Sequence, residues 1–244
     1  MGFKISIALV SLMLASTVSA EVREYHSSKL SPLVIELFTS QGCSSCPPAD
    51  NWLADLDTHP QLWQRVFPLS FHVTYWNNLG WEDTWSQGEF TERQYAYYRG
   101  DFSSQVYTPQ LMINGDEIRC WTLLGWSLTP VPELSETEAG VLTAQVEKGL
   151  LQAGFSRPLQ KDARLRFAWV LPAAKVVVKR GENQGRTLNN PFVVLSVTEI
   201  PGTGQKFVGD LPASPDIDDE ALAWVLWLEE QGQPVQAVGG RGAP

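Results

Sequence analysis

The chain has 244 residues, 18% of them charged and 43% hydrophobic, and a formal net charge of -9. That composition supports a packed core and excludes a disordered chain. An acidic balance without a Lys/Arg run excludes nucleic acid as a partner.

The N-terminus reads as a leader over residues 1–20. Lys4 supplies a positive n-region, Ile5 to Ala15 an apolar run, and Val18-Ser19-Ala20 short side chains at a cleavage site. The apolar run is too short to span a bilayer, which takes about 20 residues, and no later segment is long enough. The expectation is an exported protein, periplasmic or secreted, without stable membrane insertion. Outside the cytosol disulfides persist, but three cysteines are too few for a disulfide scaffold.

Residues 21–31 read as a polar lead-in. "PLVIELFTS" (Pro32 to Ser40) reads as a strand, followed at once by Cys43-Ser44-Ser45-Cys46 and two prolines. Trp52, Leu53 and Leu56 then fall at helical spacing, and "VFPLSFHVTYW" predicts a second strand. Aromatics crowd residues 75–107. A box at Ser86 to Glu89 predicts a helix over about 87–99 that Gly100 stops. "VYTPQLMINGDEIRCW" predicts a hairpin around Asn114-Gly115. A second box at Ser135 to Glu138 predicts an amphipathic helix ending at Gly154, with Val141, Leu142, Val146, Leu150 and Leu151 on its apolar side. From about 160 the pattern is strands and turns, as in a small antiparallel sandwich. The acidic run Asp216 to Glu220 reads as a solvated loop. The expected organisation is one domain over 32–153, enlarged at about 75–107, and a β-rich domain over 160–244, with the boundary near 153–162.

The cysteine pair admits three readings: a redox pair, part of a metal site, or a structural staple. A sulfur at a helix N-terminus gains thiolate character from unpaired N–H groups, and a second cysteine two residues on can resolve a mixed disulfide. Cys43 is then the attacking thiol and Cys46 the resolving one. The two prolines confine the regular helix to a start close to Cys46. The element order over 32–153 resembles the thioredoxin fold, and that resemblance implies a cis bond at Thr108-Pro109, just before an apolar strand and beside the pair. It also implies that Glu36, in the preceding strand, is the candidate acid that moves a proton for the resolving thiol. In the metal reading, Cys43, Cys46 and His72 hold Cu(I), whose softness suits thiolate; in the redox reading no cofactor is needed. Cys120 reads as a buried, inert thiol.

"VIELFTSQGCSSCPPAD", "LSFHVTYWNNLGWED", "VYTPQLMING" and "GENQGRTL" together resemble the exported thioredoxin-like proteins of domain-of-unknown-function family 1223. The resemblance implies an α/β thioredoxin-like domain followed by a β-rich, sandwich-like domain, and it implies no known reaction. Thr74 stands where the family pattern leads one to expect an acid. Arg180, Glu182, Asn183 and Arg186 form a loop motif without assigned chemistry. The function expected is that of a thiol–disulfide oxidoreductase acting on protein thiols and disulfides or on small thiols. The alternatives are a copper-handling protein and a non-catalytic binding module.

Overall fold

In the computed structural model residues 22–119 and 130–244 are described. The expected leader and Cys120 lie outside them. The strand that feeds the cysteines is β2 (Leu33–Thr39), buried along its whole length. It lies parallel to β3 (Val66–His72) and antiparallel to β4 (Gln110–Ile113). β4 turns at Asn114-Gly115, both at positive φ, into β5 (Asp116–Glu117). The Asn114 side chain ties the turn back, accepting from the Val34 N–H at 2.8 Å and donating to the Pro32 carbonyl at 2.9 Å.

On its other side β3 meets β9 (Thr187–Ile200), which pairs with β8 (Arg164–Val177). β12 (Ala223–Glu230) and β13 (Gln233–Arg241) complete an eight-stranded mixed sheet in the order β13-β12-β8-β9-β3-β2-β4-β5. A five-stranded sheet packs against it. Its order is β1 (Arg23–His26), β6 (Leu142–Glu147), β7 (Leu150–Phe155), β11 (Lys206–Asp210) and β10 (Gly202–Thr203). Two helices accompany the larger sheet among the described residues, α1 (Pro47–Ala54) and α2 (Gly88–Arg99).

This architecture overturns the expected α/β thioredoxin-like arrangement: the described residues are 43% strand and 14% helix, built on two sheets. The clearest departure is at residues 139–154, where the expected helix is the β6–β7 hairpin. Leu142, Ala144 and Val146 face one core, as do Leu151, Ala153 and Phe155 across the turn. That is a period of two, which only a strand satisfies. Lys148 and Gly149, at φ 50° and 78°, make the turn. Ser135 starts no helix; its hydroxyl accepts from the Thr137 N–H. The supposed lead-in supplies β1, an edge strand paired to β6. The two runs "ARLRFAWVLP" and "AKVVV" are one 14-residue strand, β8. The helix over 88–99 forms, but its N-cap is Gln87 without a side-chain bond, because Ser86 instead donates to the Asp83 carbonyl.

Two cores result. One gathers Leu37, Phe38, Phe71, Trp52, Leu53 and Trp227 beneath the helices. The other gathers Leu142, Phe155, Phe167, Trp169 and Trp224 between the sheets. β12 serves both: Ala223, Val225 and Trp227 point into the first, and Trp224, Leu226 and Leu228 into the second. Burial on both faces explains its nearly unbroken apolar sequence.

Candidate functional site

β2 ends at Thr39, and the chain turns through Ser40 to Cys46 before α1 begins. The Ser40 hydroxyl accepts from the Gly42 N–H at 3.1 Å, and the Ser40 carbonyl accepts from the Cys43 N–H at 3.1 Å. Cys46 is the N-cap of α1, with prolines in the first turn, where a missing N–H would have had no helical partner. Cys43 and Cys46 form a disulfide with Cα atoms 5.5 Å apart. Neither cysteine has exposed surface, whereas Ser44 and Ser45 between them are exposed. The Ser45 hydroxyl lies 3.3 Å from Cys43 Sγ.

Three segments distant in sequence hold this turn. The first contains Trp76: a Cβ on Gly42 would lie 3.2 Å from Trp76 Cβ, and the Trp76 indole N–H donates to Thr108 Oγ1 at 2.7 Å. The Thr108–Pro109 bond is cis, and Gln110 stands opposite Phe38. Thr108 and Pro109 therefore reach the cysteine turn through Trp76.

The second segment grips Gln41. Asp83 Oδ2 accepts from the Gln41 N–H at 2.7 Å, and the Trp81 indole donates to Gln41 Oε1 at 2.9 Å. The third is the loop between β8 and β9. Asn183, fully buried, donates to the carbonyls of Gln41 (3.0 Å) and Cys43 (2.9 Å). Arg186 donates to Asn183 Oδ1 at 2.7 Å, and Glu182 accepts from the Ser44 N–H at 3.2 Å. Gly80 and Gly181, both at positive φ, bring the second and third segments together; a Cβ on Gly80 would lie 3.3 Å from Gly181 Cα.

Beneath the turn lies a buried polar cluster. His72 stands beside Thr39 in register, and its Nδ1 is 2.8 Å from Asp83 Oδ2. Asp83 Oδ1 accepts from the Trp85 N–H at 2.9 Å. Burial pushes the Asp83 carboxyl up, but His72 and these N–H donors hold it below the usual carboxylate range. Burial pushes the His72 imidazole down, and Asp83 more than offsets this, so His72 titrates higher than a free imidazole. Each group thus favours the charged form of the other. Asp50 differs: burial raises its carboxyl to about 7, with His72 opposing the rise. Asp50 Oδ1 and His72 Nε2 are buried without a hydrogen-bond partner.

Glu36 is placed elsewhere. It shares a strand face with Phe38, which packs on Tyr97 of α2. Its carboxylate accepts two bonds from Arg93, at 2.6 and 2.8 Å, and one from the Tyr97 hydroxyl at 2.6 Å. Arg93 continues to Glu229 at 2.8 Å, and Glu229 to Arg166 at 2.7 Å. Burial raises the Glu229 carboxyl, yet the two arginines keep it low. Both Glu36 oxygens are thus committed to a buried ion network on the α2 side.

Sequence reasoning nominated Cys43, Cys46, Thr108, Pro109 and His72, and the structure gathers them around one turn. It did not nominate Asp50, Asp83, Gln41 or Asn183. Asp50 left a local signal, four residues after Cys46 and so on the same helix face, and Asn183 stood in a loop motif to which no chemistry was assigned. Among the described residues no group of three or more His, Cys, Asp or Glu side chains is arranged to hold a metal ion. In the acidic run, Asp218 caps the short helix Asp219–Ala221 by accepting from the Glu220 N–H.

A family model described as "Protein of unknown function (DUF1223)" matches residues 34–229, from β2 to β12. No curated protein matches the chain. Among solved structures, the protein AGR_C_4864 from Agrobacterium tumefaciens superposes with a TM-score of 0.61 at 24% identity, over 88% of this chain and 96% of that one. HBP35 of Porphyromonas gingivalis reaches a TM-score of 0.46 at 10% identity, over 88% of this chain and 75% of that one. The first likeness is one of fold.

Proposed function

The chain belongs to the DUF1223 family, and from that premise we propose that it is an exported thiol–disulfide exchange protein. The reactive pair is Cys43 and Cys46, and the substrates are protein thiols and disulfides or small thiols. The observation that carries this reading is the Cys43–Cys46 disulfide at the start of α1, with Asp50, whose Oδ1 is buried without a hydrogen-bond partner, one turn further along the helix.

In the reduced protein the Cys43 thiolate attacks a substrate disulfide. A Cys43–substrate disulfide forms, and the first substrate sulfur leaves as a thiolate. Cys46 passes its proton to Asp50, and its thiolate attacks Cys43 Sγ. The internal disulfide forms, the second substrate sulfur leaves and takes its proton from water. Two electrons pass from the pair to the substrate, and the reverse sequence oxidises a dithiol. A carboxyl that titrates near 7 takes and returns a proton with little driving force at neutral pH. Thr108 and Pro109, joined to the turn through Trp76, are the residues this reading assigns to holding an extended substrate.

A staple role is a weak competitor on magnitude. Closing so short a loop restrains the unfolded chain by only about 2 kcal/mol, against about 4.7 for a 100-residue loop.

The experiment is a redox titration in glutathione buffers, with the thiols trapped by alkylation. The pair is expected to titrate as a two-electron couple within about -120 to -300 mV, the range of exchange catalysts, and Cys43→Ser to abolish exchange with a substrate dithiol. A pair that stays oxidised across that range is a staple.

A further inference from the structure

We propose that the loop between β8 and β9 sets the reactivity of the cysteine pair, with Glu182 holding back the Cys43 thiolate. The inference rests on the exchange reading above and adds a positioning residue from the far half of the chain.

The backbone around Cys43 is not free to adjust. Asn183 bonds the carbonyls of Gln41 and Cys43, and Arg186 fixes the Asn183 oxygen. That anchor delivers Glu182 to the Ser44 N–H, the peptide group directly after Cys43. The carboxylate does two things there. It occupies a donor that would otherwise turn to a thiolate, and it places a negative charge beside the position where the thiolate forms. Both effects disfavour Cys43 S⁻. The Ser45 hydroxyl, 3.3 Å from Cys43 Sγ, is the opposing donor. A less stable thiolate means a less stable reduced pair, so Glu182 makes the protein a stronger reductant than the turn alone would be.

The test uses full-length protein reduced chemically. The alkylation rate at Cys43 is followed against pH by mass spectrometry. Glu182→Gln is expected to lower the thiol pKa and raise the rate at pH 7 about threefold, the size expected of an exposed charge in water. Glu182→Lys is expected to go further in the same direction. High salt should shrink the differences. Gln184→Ala, an exposed change in the same loop, should match the wild type. The glutathione equilibrium at pH 8 should shift about threefold toward the dithiol in Glu182→Gln. In that equilibrium one internal disulfide is reduced as two glutathione thiols become one glutathione disulfide.

An unchanged or raised pKa in Glu182→Gln overturns the proposal. So does an equal shift in Gln184→Ala, which would point to loop disturbance rather than charge. The pKa measurement does not depend on turnover, so a protein that fails to cycle in glutathione removes the exchange reading while the loop's effect on Cys43 is still decided.

Discussion

The Asp50 N–H donates to the Cys46 carbonyl at 3.1 Å, so the raised carboxyl sits one helical turn from the resolving sulfur's residue. Its Oδ1 is buried without a partner, and its pKa lies near 7 rather than 3.8. An acid whose folded pKa is raised keeps its proton in the native state after the unfolded chain has lost it. Its stabilising contribution is complete below pH 4 and falls as pH rises from about 4 to 7, by up to roughly 4 kcal/mol. Asp50→Asn is therefore expected to be more stable than wild type at pH 7.5, with the gap closing below pH 4. Urea titrations across that range measure it. The same variant is expected to slow exchange by about 10²-fold, the lower end for a lost general base. Wild-type exchange rates in Asp50→Asn would move the proton site elsewhere.

Glu36 gives the contrasting case. Removing its charge leaves Arg93 facing Glu229 alone inside the protein. Glu36→Gln is expected to cost about 3 kcal/mol of stability, as when one member of a buried ion pair is lost. The redox potential of the cysteine pair should not move. A potential shifted by more than about 30 mV, a tenfold change in equilibrium, would restore Glu36 to the chemistry.

The His72–Asp83 contact predicts a pH effect in the same direction, set by an imidazole rather than a carboxyl. His72 gains a partner and a raised pKa, so its contribution is complete below about pH 6.5 and is lost as pH rises through the folded value. Asp83→Asn removes the charge that holds the imidazolium. Its destabilisation, about 3 kcal/mol, should be largest in acid and smaller above neutrality. A thermal-denaturation series from pH 5 to 9 reads this directly.

The copper alternative has its own signature. His72 Nδ1 is committed to Asp83, leaving Nε2 as the only nitrogen available for a metal. Reduced protein is expected to take up Cu(I) through its two thiolates, and His72→Ala to change the affinity less than about threefold in chelator competition. A loss of 100-fold would show a three-ligand site.

Much of the site was legible because it is written locally. Strand, cysteines, prolines and helix follow one another, and so do Thr108-Pro109 and the Asn114-Gly115 turn. What was missed depends on partners far along the chain. Asn183 bonds a carbonyl 140 residues away, and nothing near "GENQGR" shows it. Strand alternation turns Glu36 with Phe38 toward α2, while Thr39 and its register partner His72 lie on the opposite face, and a local reading of the strand does not show which face meets the cysteines. The hairpin at 142–155 was missed for another reason. Val141, Leu142 and Val146 fit a helical stripe as well as Leu142, Ala144 and Val146 fit a strand face, and a serine–glutamate box tipped the choice. Pairing with β1 and β11 decides it, and pairing is invisible to a local window.

β8 and β12 each form part of a wall shared by both cores, and the loop that grips Cys43 hangs from the end of β8. Loosening the five-stranded sheet is therefore expected to slacken the hold on the cysteine turn, through the strands that both cores share. Hydrogen exchange at the Cys43 and Cys46 amides should track exchange in β6 and β7.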